Sequence, residues 1–324
     1  MGNCTFTDIN EQTMISFAER IIGKYTNDLN GPVLFFLGGI HGNEPAGVLA
    51  IQRVFEKLNA IAPPFHGKCI GIAGNLPALR LGVRYIECDL NRLWSASERD
   101  RIYSSDRLNT EETQQREIME IIETEACNSS TPVIIADLHT TSASRGFFSI
   151  VTYDAENIRL ASSLYAPVIL KMTDSLTSTT NIFMKDRQFH GLTFEAGQHD
   201  DPASVDNHEA AIWLLMEAAG CIESEYIPGF EAYRNHLISE AAGLPRYVEV
   251  IYRHGITPED EYETSPGFAN YSTVKAGEIV AKDKRGPVTA PADGMMLMPL
   301  YQKQGDEGFF LIRELDQQAL SYDI

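Results

Sequence analysis

The sequence predicts an α/β protein with helices on both faces of its sheet, followed by a smaller all-β unit, and two observations predict it. From about residue 31 to 220, short apolar runs alternate with amphipathic helical stretches, the pattern of strands buried between helices. After residue 243 the texture changes to short strand-like runs separated by Gly, Pro and Asp, as in a small β domain. The expected domains are 1–243, catalytic, and 244–324, all-β.

Taken in order, Val33, Leu34, Phe35, Phe36 and Leu37 form an apolar run that reads as a buried strand over 33–37. A helix is expected over 45–58, where Val48, Ile51, Phe55 and Leu58 recur at helical spacing and Pro45 suits the first turn. Further strands are expected at 68–73, 133–137, 147–152, 168–171 and 192–195, and further helices at 111–126, 155–164 and 205–219. The polar segment 93–109 reads as a long surface loop, and the helix-like stretch 229–242 as part of the first domain or a bridge to the second. The β unit is expected to hold strands at 247–252, 272–274, 279–282, 295–299 and 309–313.

Composition narrows the function. A net charge of -19 over 324 residues argues against nucleic acid or an anionic membrane as partner. Apolar runs fall well short of the roughly 18 residues that cross a bilayer, and the five cysteines show no CxxC pair. Reduced thiols in the cytoplasm are the expectation, and a homo-oligomer is left open. Met1-Gly2-Asn3-Cys4 looks like a lipidation start, but Phe6 stands where a myristoylation signal has Ser or Thr.

Chemistry enters at Gly38-Gly39-Ile40-His41-Gly42-Asn43-Glu44-Pro45, between a strand and a helix. Strand carboxyl ends are where ligands bind in open α/β sheets. His41 and Glu44, three apart on a glycine-rich turn, can converge on one metal ion. A loop His and Glu also coincide by chance. A second strand ends in Asp137-Leu138-His139. His139 can complete a His2Glu set that leaves a position open for water, with Asp137 as a supporting group; alternatively His139 is a strand-end histidine bonded to a carbonyl.

Amide hydrolysis also needs a proton carrier, and Glu195, at the end of the strand over 192–195, can be one, unless it is merely solvated or capping a helix. Arg84, Asn91 and Arg92 fall within nine residues of an acidic chain. Arg84 can stabilise an oxyanion, and Asn91 with Arg92 can hold a substrate carboxylate; in the plainer reading these arginines pair with Glu87 or Asp89.

HGNE, RYxxCDLNR, DLHTT and FEAGQ, in that order over roughly residues 30 to 215, resemble the succinylglutamate desuccinylase and aspartoacylase family of zinc carboxypeptidase-like hydrolases. The resemblance implies a mixed sheet flanked by helices and one zinc ion per chain held by His41, Glu44 and His139. It places the general acid/base on Glu195, the oxyanion-stabilising arginine on Arg84 and the carboxylate-binding pair on Asn91 and Arg92. A family substrate-binding arginine falls at Lys185, with Arg187 two residues on, and Tyr301 is the candidate for a tyrosine of the C-terminal domain.

The expected function is zinc-dependent cleavage of small N-acyl amino acids or related amides. A zinc carboxypeptidase acting on peptide C-termini is the nearest alternative, and a non-catalytic zinc-dependent binding protein a further one. Gln198-His199-Asp200-Asp201 with Asp206-Asn207-His208-Glu209 is not expected to form a second metal site. The run at 288–294 resembles the hairpin of biotinyl and lipoyl carriers, but Asp283 stands where those carry lysine.

Overall fold

The computed structural model describes residues 19–127, 131–176 and 178–315; the Met1-Gly2-Asn3-Cys4 start lies outside them. Its strands and helices, in chain order, are β1 (Ile21–Gly38), α1 (Ala46–Ile61), β2 (His66–Ala73), α2 (Leu76–Leu81), α3 (Ala96–Ser104), α4 (Thr110–Ala126), β3 (Val133–Thr141), β4 (Phe147–Ile150), α5 (Ala155–Ser162), β5 (Val168–Leu170), α6 (Thr180–Asp186), β6 (His190–Gln198), α7 (Ala203–Ala218) and α8 (Phe230–Glu240). Then come β7 (Tyr247–Gly255), β8 (Glu263–Thr264), β9 (Thr273–Val274), β10 (Ile279–Asp283), β11 (Gly286–Thr289), β12 (Gly294–Leu297) and β13 (Glu307–Glu314).

Among the described residues these strands form a mixed sheet in the order β2-β1-β3-β6-β4-β5-β7-β13-β12-β9, and a separate antiparallel sheet, β11-β10-β8. The second half of β1, β3 and β6 run parallel side by side. β1 is longer than the run over 33–37 suggested. Over residues 21 to 28 its partner in β2 falls from Ile72 to His66, then from 33 to 38 it rises from Lys68 to Ala73. The chain thus doubles back near Gly31.

The alternation of β1 builds both layers. Leu34 and Phe36 pack with Ala136, Leu138 and the faces of α1 and α7, whereas Phe35 and Leu37 pack with Ile135, Trp94 and Ile118 and Ile122 of α4. Burial on both faces explains why the strand reads as a continuous apolar run rather than an alternating one.

One sequence expectation needs correction. The segment 93–109 is not a surface loop throughout: it carries α3, which Ser95 caps by accepting from Glu98 N. Only Arg99 and Ile102 of that helix are buried, so no apolar stripe marked it. The β segment beyond residue 243 carries the separate sheet β11-β10-β8, and its other strands extend the first sheet. β7 pairs with β5, β13 with β7 and β12 with β13, and Val248, Leu297, Phe310 and Ile312 share a core with Phe148, Ile150, Ile169 and Met172.

Candidate active site

Three neighbouring parallel strands end at the same edge of the sheet, and each supplies part of the site. β1 leads into the turn that carries His41 and Glu44, β3 carries His139, and β6 carries Glu195 in register with His139. The turn is tight for a physical reason. Gly39 has φ +72°, and a Cβ on Gly42 would fall 2.1 Å from the carbonyl carbon of Ala78 in α2, so a side chain at either place would distort the turn. The turn is fixed by Gly42 N donating to Arg84 O at 3.1 Å and Glu44 N to His41 O at 3.1 Å.

The side chains then converge. Glu44 Oε1 lies 2.9 Å from His41 Nδ1, and Glu44 Oε2 lies 2.9 Å from His139 Nδ1 and accepts from Thr140 N at 3.1 Å. One ligand atom each from His41, Glu44 and His139 lies within 4.8 Å of the others, and all three residues are buried. Ligands around one tetrahedral zinc stand about 3.4 Å apart, so the donors fit such an ion. The set needs no large rearrangement to hold it. Among the described residues no second cluster of this kind occurs; His208 is buried against Phe194.

Each histidine has a carboxylate behind it. Asp89 Oδ1 lies 3.0 Å from His41 Nε2, and Asp137 Oδ2 lies 2.9 Å from His139 Nε2, as an ion pair off the N–H axis. Asp137 and His139 share a face of β3 because they are two residues apart. Such carboxylates fix ring orientation and leave each Nδ1 facing Glu44. Asp89 also binds Arg84, accepting from Nη2 at 2.9 Å and Nε at 3.2 Å, while Arg84 Nη1 is 3.5 Å from Glu44 Oε1. Arg84 therefore pairs with Asp89, as in the plainer reading of its loop, and still lines the cleft.

Glu111 holds that loop in place. Its buried carboxylate accepts from Ile86 N at 2.7 Å, Glu87 N at 3.1 Å, Cys88 N at 3.3 Å and Asn75 Nδ2 at 3.0 Å. Neither Asp89 nor Glu111 was assigned such a role from sequence. The only signal was the density of acids near Arg84, which an acidic chain shows in many places.

Electrostatics follow from burial and pairing. Burial alone would raise Glu44 and Asp89, but His41, with His139 for Glu44 and Arg84 for Asp89, holds both well below the usual carboxylate range. Glu195 differs. Burial, opposed by His139 but reinforced by Glu44 and Asp137, pushes its carboxyl up to about 8, and its Oε2 has no hydrogen-bond partner. Burial also lowers His199, whose Nδ1 is 2.8 Å from Thr140 Oγ1.

The cleft encloses about 870 Å³ including its mouth, and is lined by His41, Glu44, His139, Glu195, Arg84, Asn91 and Arg92. Asn91 and Arg92 sit in a 3-10 turn, Leu90–Arg92, capped by Asp89. Lys185, Arg187 and Tyr301 are not among the lining residues. Lys185 and Arg187 are exposed at the end of α6, with Arg187 paired to Glu123. Tyr301 is exposed, its hydroxyl within 3.1 Å of Phe268 N and 3.0 Å of Ser265 O. Residues of the C-terminal segment that do line the cleft, among them Gln302, Glu307 and Phe310, were not singled out from sequence.

Comparison with known proteins points to one family. The profile described as the succinylglutamate desuccinylase/aspartoacylase catalytic domain matches residues 30–215. A probable aspartoacylase of Prochlorococcus marinus is 30% identical over 236 residues, 70% of this chain and 69% of that protein. A succinylglutamate desuccinylase of Burkholderia cenocepacia is 40% identical over 57 residues, so that match spans only 18% of this chain and 16% of that protein. The solved structure of a succinylglutamate desuccinylase/aspartoacylase from Rhodobacter sphaeroides shares the fold, with a TM-score of 0.65 at 19% identity over 90% of this chain and 88% of that one.

Proposed function

The chain belongs to the succinylglutamate desuccinylase/aspartoacylase family, and from that premise we propose that it hydrolyses the amide bond of small N-acyl amino acids or related amides with one zinc ion held by His41, Glu44 and His139. The observation that carries the reading is the meeting of this donor set with Glu195 and Arg84 in one cleft. Zinc bound there would supply a Lewis acid and lower the pKa of a water ligand toward about 7.

In its ionised form, which a bound cation beside it would favour, Glu195 takes the proton from the attacking water and passes it to the departing amine, so one carboxylate serves as base and then acid. Its position opposite His139 on the neighbouring strand, and an Oε2 free of other bonds, support that role. Asp89 holds Arg84 by Nε and Nη2, which leaves Nη1 on the ligand side of the cleft to meet charge developing on the carbonyl oxygen. A binding protein would need neither group. Lys185, Arg187 and Tyr301 are left out of this reading. A reducing, cytoplasmic setting belongs to it, supported by the free thiols of Cys69, Cys88, Cys127 and Cys221.

The test is a panel of N-acyl amino acids, N-acyl amines and peptides with the zinc-loaded protein. Turnover of an N-acyl compound is expected, and Glu195→Gln should retain zinc while kcat falls about 10²–10⁴-fold. Full turnover by that variant, or cleavage of peptides alone, would overturn the proposal.

A further inference from the structure

Arg92 is where a substrate carboxylate was expected, yet its fork is closed by this chain's own carboxylates. Arg92 Nε donates to Asp306 Oδ2 at 3.0 Å and Nη2 to Asp306 Oδ1 at 2.7 Å, the side-on, two-oxygen arrangement by which arginine recognises a carboxylate. Nη2 also donates to Glu307 Oε2 at 2.7 Å, and Glu307 is held from its other oxygen by Arg253 Nη2 at 3.0 Å. Asn91, the expected second half of the seat, accepts from Thr180 N through Oδ1 at 3.2 Å.

Asp306 lies in the turn that enters β13. Burial works against its charge, but Arg92 and a bond shared with Glu307 hold its carboxyl down to about 2, so it is an anion at neutral pH. A carboxylate tethered by its own chain acts at an effective concentration of roughly millimolar or more, and a substrate carboxylate would have to displace it. Apart from Arg92, the lysine and arginine side chains of the cleft lining come down to Arg84, which Asp89 already holds. The apolar part of the cleft lining is Ile150, Met172, Leu176, Met298, Leu300 and Phe310, beside polar residues such as Thr179, Asn181 and Gln302.

We propose that Asp306 is a specificity-determining residue that fills the Arg92 seat, so that the cleft takes N-acyl compounds presenting an apolar group, and no carboxylate, at that end. The inference rests on the hydrolase reading for turnover but not for binding. A substrate anion is excluded there by competition and by Glu307, whereas an alkyl group gains the contact of the apolar wall.

Two compounds that differ only in the carboxylate separate the cases: N-acetyl-leucine and N-(3-methylbutyl)acetamide. Binding is measured calorimetrically on zinc-loaded protein carrying Glu195→Gln, alone and combined with Asp306→Asn or Asp306→Ala, and turnover on the same series with Glu195 intact. The expected result is that protein with Asp306 binds the uncharged amide at least as tightly as the acid, and that either Asp306 variant tightens the acid at least tenfold while moving the amide less than threefold. Tenfold preference for the acid with Asp306 in place, or acid affinity unchanged in both variants, would overturn the proposal. Should both variants fail to fold, the ratio of acid to amide on the chain that keeps Asp306 decides alone. If the binding pattern holds but neither compound is cleaved, the hydrolase reading fails and the assignment of the seat stands.

Discussion

Replacing Asp89 by Asn keeps the shape of the side chain and removes what the site uses it for. In the native chain Asp89 Oδ1 faces His41 Nε2 at 3.0 Å and the backbone N–H of Asn91 at 2.8 Å, while Oδ2 takes two bonds from Arg84. An amide has one oxygen. If it stays toward His41 and Asn91, its NH2 group confronts the Arg84 donors; if it turns toward Arg84, the NH2 group confronts the other two. Loss of a carboxylate behind a ligating histidine typically lowers metal affinity about 10–100-fold, which is about 1.4–2.7 kcal/mol. Bonds to a buried charged group contribute roughly 1.5–3 kcal/mol each, so the variant that orients toward His41 also loosens Arg84. Two readouts follow. Zinc affinity, measured by competition with a chromophoric chelator, should fall about 10–100-fold, and kcat at saturating zinc should fall by about tenfold or more. Zinc affinity within twofold of the native chain together with unchanged kcat would refute the role of Asp89 as the brace shared by ligand and arginine.

Glu111→Gln should destabilise the fold by roughly 2–4 kcal/mol, because one oxygen of a carboxylate that accepts four bonds, including those from Ile86 N, Glu87 N and Cys88 N, becomes a donor. The urea midpoint measures this, and a shift within error would remove Glu111 as the anchor of the loop. A pH effect is expected from Glu249, which is buried and paired with Lys171 and Arg313. Burial alone would raise its pKa, but those two cations hold it below its ordinary value. A carboxylate depressed in the folded state contributes stability that is full above the unfolded value of about 4.3 and is lost as pH falls through the folded value. The native chain should therefore lose stability more steeply than Glu249→Gln as pH drops from about 5 to 3, followed by thermal melting. Parallel curves would contradict the assignment.

Much of the site was legible because its chemistry sits at strand ends. The turn with His41 and Glu44, and His139 with Glu195, follow apolar runs that mark strands, and the strand ends on one edge of a sheet meet in space. The helix α3 was not legible. Its sequence buries only Arg99 and Ile102, and capping by Ser95 resembles any polar loop until the backbone is known. The join between the β segment and the main sheet was also hidden, because strand texture does not say which edge a strand will extend.

By itself the sequence determined the α/β class and pointed to a His-Glu-His donor set and a candidate proton carrier, since each is written in local pattern and residue type. Only the tertiary structure decided what those groups face. Asp89 reaches His41 across 48 residues, and Asp306 reaches Arg92 across 214. The reason is physical: a carboxylate acts through its charge at a few ångströms, and in an acidic chain no spacing in the sequence tells which acid the fold will bring that close.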